Sequence, residues 1–71
     1  ADGTVIDTAV QLIQRHPLRA YDAVQLATAL LLNRRLLAEK LLPLTFISAD
    51  DVLCEAARAE GLLSENPNEY E

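Results

Sequence analysis

The sequence predicts a helix-dominated α/β fold with one or two short parallel strands, and three observations carry that expectation. Apolar residues recur at helical spacing across 5–13 and again, more densely, across 20–32. The run Leu44-Thr45-Phe46-Ile47-Ser48 is short and rich in β-branched and aromatic residues, as a strand is. A polar, acid-bearing stretch and Gly61 then bracket a third helical segment. The 71 residues suffice for a single domain, and a chain this short buries only about 60% of its unfolded surface. An apolar share of 51%, mostly Leu and Ala with no Trp, excludes a disordered tail.

Thr4-Val5-Ile6-Asp7 fits a capping box, with a hydroxyl at the N-cap and an acid three residues on. Val5, Ala9, Leu12 and Ile13 then form one apolar helical face. His16-Pro17 ends that helix, because the residue before proline is pushed out of the α region. A second helix is expected from about Arg19. Its apolar residues, from Ala20 to Leu32, are too dense for one stripe, which predicts cover on more than one side. Asn33-Arg34-Arg35 is a polar interruption, after which residues 36–42 either continue the helix or form a short extra one.

Residues 44–48 have the length and composition of a strand hydrophobic on both faces, as in a parallel sheet. Ser48 and Asp51 make a second capping box for a helix over about 51–60, closed by Gly61. Leu62-Leu63 is a candidate last strand, Ser64-Glu65-Asn66-Pro67 a turn, and about 65–71 a polar tail. Two such strands do not make a stable sheet by themselves, so a pairing partner is expected.

The formal net charge of −5 argues against a long track along a nucleic-acid backbone. The charge is uneven: residues 50–71 hold seven acids against Arg58, while 14–40 hold five bases against Asp22 and Glu39. One cysteine excludes an internal disulfide framework and a cysteine-based zinc site. Gly3 and Gly61 are the only glycines, which excludes a phosphate-binding glycine loop. No apolar run approaches the roughly 20 residues that cross a bilayer, and no leader pattern opens the chain. A soluble, cytoplasmic protein is the expectation.

Four features compete for a chemical role. Asp22 sits in the opening turn of the long helix, where an acid complements the helix dipole or serves as a hard oxygen ligand for Mg²⁺ or Mn²⁺. Asp50 follows the strand, and ligands of open α/β sheets collect beyond the carboxyl ends of strands. Ser48 and Asp51 then serve the cap while Asp50 faces the crevice. His16 has no nearby nucleophile and reads as a helix-terminus histidine favourable to the dipole. Cys54, among Val52, Leu53, Ala56 and Ala57, reads as a small buried apolar residue.

Taken together, the stretch from His16-Pro17-Leu18-Arg19-Ala20-Tyr21-Asp22-Ala23 through Gln25-Leu26-Ala27-Thr28-Ala29-Leu30, then Leu44-Thr45-Phe46-Ile47-Ser48-Ala49-Asp50, then Ala56-Ala57-Arg58-Ala59-Glu60-Gly61-Leu62, resembles a known family. It is similar to the C-terminal half of PIN-domain ribonucleases, the VapC-type toxins of toxin–antitoxin pairs. The resemblance runs from about Val5 to Pro67 and implies the C-terminal part of a three-layer fold, with helices flanking a parallel sheet. It implies hydrolysis of RNA by a ring of acids holding Mg²⁺ or Mn²⁺, and an antitoxin partner. Carried over by position, Asp22 and Asp50 match catalytic, metal-holding acids, and Ser48 matches a small hydroxyl position; Asp51 is adjacent.

The family's first strand with its leading Asp, and an early helix with a Glu, have no counterpart in these 71 residues. The resemblance therefore implies a truncated domain, weak or inactive as an isolated chain. Its apolar helix faces predict a homodimer or larger assembly. The competing expectation is a non-catalytic helical interaction module in which both aspartates are caps or remnants.

Overall fold

The computed structural model describes residues 3–69. In chain order it holds α1 (Gly3–Arg15), α2 (Ala20–Ala38), β1 (Thr45–Ile47), α3 (Asp51–Ala59), β2 (Leu63–Glu65) and a 3₁₀ turn, Pro67–Glu69. It is a small α/β structure, mostly helical, with two short strands. The end of the polar tail, 70–71, lies outside the described residues.

Helix α1 already includes Gly3 and Thr4, so Thr4 is not its N-cap. Ala9 and Leu12 are buried, Val5 packs beside them, and Ile13 is exposed, so the buried stripe is narrower than the spacing suggests. The helix stops at Arg15, directly before His16-Pro17, as proline sterics require.

Helix α2 runs unbroken through Asn33-Arg34-Arg35 to Ala38, since none of these three opposes helical backbone. The polar triplet is an exposed-to-half-buried patch, not an interruption. Nor is α2 covered all round within the chain. Ala23, Leu26 and Ala27 are buried, whereas Leu32 and Leu37 are exposed. The chain reverses at Lys40, whose φ of 59° is left-handed. Lys40 N–H reaches Leu37 O at 3.0 Å and Leu41 N–H reaches Leu36 O at 2.8 Å, closing the last turn. Gly61, at φ 93°, does the same for α3, with Leu62 N–H on Ala57 O at 2.9 Å.

The core joins Ala9 and Leu12 of α1, Ala23, Leu26 and Ala27 of α2, Leu53, Ala56 and Ala57 of α3, and Leu62. Small alanines at facing positions let three helices approach closely, and Cys54 is buried among them as a small apolar residue. Its Sγ lies 3.2 Å from Ser48 O.

Strands β1 and β2 pair in parallel, with Thr45 opposite Leu63, Phe46 opposite Ser64 and Ile47 opposite Glu65. A strand at 62–63 is thus confirmed in kind but shifted, and Ser64-Glu65 belongs to it instead of to a turn. Burial of β1 on both faces does not hold. Phe46 is half-buried toward the helices while Thr45 and Ile47 are exposed, so the second face of the sheet is bare. One edge is bare as well. Ser48 N–H bonds Glu65 O at 3.1 Å on the β2 side. Backbone groups alternate along a strand, so Thr45 and Ile47 turn theirs to the opposite edge, uncovered among the described residues.

The helical hairpin and the strand pair are tied at the carboxyl ends of α1 and α3. Arg15 Nη1 donates to Glu60 Oε1 at 3.0 Å and Oε2 at 3.2 Å, and His16 Nε2 lies 2.8 Å from Oε2. His16 therefore meets a carboxylate, beyond the dipole role its position suggests. The His16 hydrogen bond, aided by Arg15, holds the Glu60 carboxyl below the usual glutamate range despite the opposing effect of burial. A depressed folded-state pKa gives stability that is complete above the unfolded-state pKa and is lost as pH falls through the folded one. The melting-temperature gap between the parent chain and Glu60→Gln should therefore be widest near neutrality. It should shrink through and below the ordinary glutamate range; a gap independent of pH would refute the linkage.

Candidate functional site

Asn33, late in α2, accepts a hydrogen bond from Leu44 N–H through Oδ1 at 2.7 Å, which anchors the start of β1 to the far end of the helix. From there β1 runs back along α2. A groove of about 500 Å³ separates them, lined by Val24, Thr28, Ala29 and Leu32 on the helix and by Leu44, Phe46 and Ile47 on the strand. Gln25 and Ser48 add polar groups to its lining. The first turn of α2 and the carboxyl end of β1 carry the two candidate acids, neither of them among the groove-lining residues. Asp22 belongs to the first and Asp50 follows the second.

Asp22 is half-buried, and its carboxylate makes no hydrogen bond or ion pair among the described residues. The positive end of the α2 dipole is its one evident stabiliser. Asp50 is the N-cap of α3: Oδ1 accepts from Val52 N–H at 2.9 Å and Leu53 N–H at 3.2 Å. That corrects the capping box, in which Ser48 held this place. The cap falls to Asp50 because its backbone is extended, φ −91° and ψ 113°, directly before the first helical residue. Ser48 Oγ accepts instead from Asp50 N–H at 3.0 Å. Capping uses one oxygen of Asp50, and Oδ2 takes no bond among the described residues.

No family model, curated protein or solved structure matches the chain. The site therefore rests on its own chemistry. Among the described residues no group of three or more His, Cys, Asp or Glu converges as a ready-made metal cage. Asp22 and Asp50 each keep a carboxylate oxygen without a bond among the described residues, a hard donor of the kind Mg²⁺ and Mn²⁺ accept. By donor chemistry the two carboxylates suit such an ion, with water completing its shell. Asp51 likewise has one oxygen engaged, its Oδ1 accepting from Asn66 Nδ2 at 2.6 Å. Among the described residues no helix is long and apolar enough to cross a membrane.

Two functional groupings escape a reading by local pattern. Glu60 ends α3 where an acid opposes the helix dipole, which is a signal that a cation must lie near. Asn66 is a buried polar residue, 3% exposed, in an Asn-Pro pair that reads locally only as a turn.

Proposed function

We propose that the chain is the C-terminal half of a PIN-like, metal-dependent ribonuclease of the toxin type, contributing Asp22 and Asp50 to a Mg²⁺ or Mn²⁺ site. The reading rests on one observation: two acids far apart in sequence, Asp22 in the first turn of α2 and Asp50 directly after β1, each keep a carboxylate oxygen unengaged among the described residues. When bound, a divalent ion held by Asp22 and Asp50 would lower the pKa of a coordinated water and shield charge on a phosphodiester. The chain's own residues hold and orient. Asp22 supplies charge from a stable helix turn, Asp50 supplies an oxygen fixed by its cap, and Ser48 fixes the Asp50 backbone. RNA is the substrate class, an antitoxin the regulatory partner, and the cytoplasm the compartment this reading implies. Two carboxylates are half of the family's acidic ring, so the isolated chain is a weak nuclease or an inactive one.

Titration with MgCl₂ or MnCl₂ tests the site directly. At tenfold excess over Kd, binding to the folded chain adds about 1.4 kcal/mol. That shift raises the melting temperature by several degrees, about 4–8 °C per kcal/mol for a domain of this size. The rise should vanish in Asp22→Asn; an equal rise in that variant would remove Asp22 from the site.

The uncovered edge of β1 and its apolar groove favour a second reading, a module whose task is to pair with another chain or a second copy. Exposed Leu32, Leu37, Leu41 and Leu42 add surface for such self-association. A silent metal titration together with mass that rises with concentration would favour the module over the nuclease.

A further inference from the structure

We propose that Asn66 is a positioning residue for Asp50, an inference that rests on the metal reading above. Asn66 follows β2, far along the chain from the acid-bearing turn, and is the buried polar residue of the described chain. Its amide is fully engaged. Nδ2 donates to Ala49 O at 3.3 Å and to Asp51 Oδ1 at 2.6 Å, and Oδ1 accepts from Asn68 N–H at 2.9 Å. The first two contacts grip the residues on either side of Asp50.

The local ties to Asp50 come from neighbours: Ser48 Oγ on its N–H, and the Val52 and Leu53 amides on Oδ1. These fix the carboxylate relative to α3 and, through Ser48 N–H on Glu65 O at 3.1 Å, to the end of β2. Asn66 adds a second tie to the sheet, gripping the turn from the residue after β2. The free Oδ2 of Asp50 is thereby held toward one direction, where it would serve as a ligand to a divalent ion. Burying an amide is unfavourable unless its hydrogen bonds are all made, and here they are made to the turn that presents the acid. Loss of such an outer hydrogen-bond partner typically weakens metal binding by 10–100-fold.

The experiment compares the parent chain with Asn66→Ala by NMR, first without metal and then with added MnCl₂. In the parent chain, scalar couplings should report a single χ1 rotamer for Asp50, and Mn²⁺ should broaden resonances around Asp22 and Asp50. In Asn66→Ala, with dispersed spectra and unchanged helix content, the turn over 49–51 should loosen, the Val52 and Leu53 bonds to Asp50 Oδ1 should open more often, and Asp50 χ1 should average. The Mn²⁺ midpoint should rise about tenfold. A general structural role would lower the melting temperature while moving neither readout. Identical χ1 couplings and an identical midpoint in the two proteins would overturn the inference and leave the metal reading standing. Absence of Mn²⁺ broadening in the parent chain overturns the metal reading instead, and the metal-free χ1 comparison still decides whether Asn66 orients Asp50. Should Asn66→Ala not fold, the parent chain decides: the Asn66 Nδ2 hydrogens must exchange slowly with water, and exchange at the rate of a free amide overturns the inference.

Discussion

Leu26→Ala is expected to lower the melting temperature by more than about 10 °C. Leu26 is fully buried where α2 meets the other core residues, and truncating such a leucine costs about 2–5 kcal/mol. At about 0.05–0.15 kcal/mol per residue, a chain of this length holds only about 4–11 kcal/mol in all. One side chain therefore represents a large share of the total. The core has few large residues to collapse into the space, because Ala9, Ala23, Ala27, Ala56 and Ala57 surround it. Leu42→Ala is the matched comparison: Leu42 is 86% exposed, and its loss should change stability by less than about 0.5 kcal/mol. Thermal melts of both variants check the pair, and equal shifts would mean that the helices do not pack as described.

Asp50→Asn and Asp50→Ala should separate capping from metal binding. Asparagine caps a helix about as well as aspartate, so Asp50→Asn should retain nearly the parent stability. Alanine removes the acceptor for Val52 and Leu53 N–H and should cost about 1 kcal/mol. Both substitutions remove the charged oxygen, so both should abolish the Mn²⁺-induced rise in melting temperature and any metal-dependent cleavage of RNA. Cleavage that survives undiminished in Asp50→Asn would leave Asp50 with its cap as its whole role. The two substitutions thus differ in stability and agree in metal response, a pattern that loss of fold alone does not produce.

Much of the architecture is legible in the sequence because its signals are local. Proline after His16 ends α1, Gly61 closes α3, and β-branched residues around Phe46 mark β1. The errors arise where two local rules compete or where partners are distant. Ser48 and Asp50 are both good caps, and backbone geometry decided between them. The density of leucines in α2 predicted cover that the chain does not itself supply. The proposed site was legible only as candidates: Asp22 and Asp50 stand out by their places at a helix start and beyond a strand. Asn66 and the Glu60 pair were not, because each is defined by contacts across the fold and not by its neighbours in sequence.

The paired strands bracket a single nine-residue helix, so β1, α3 and β2 form one uninterrupted unit of chain. Helices α1 and α2 form another, and Glu60 with Arg15 and His16, Asn33 with Leu44, and the shared alanine-rich core are the stitches between them. Such contiguous blocks open and close as cooperative units, each with its own free energy below the global value. Amide exchange should then sort into two populations divided near residues 39–44. Asp22 lies in the first block and Asp50 in the second, so any ion the two shared would resist the blocks' separation.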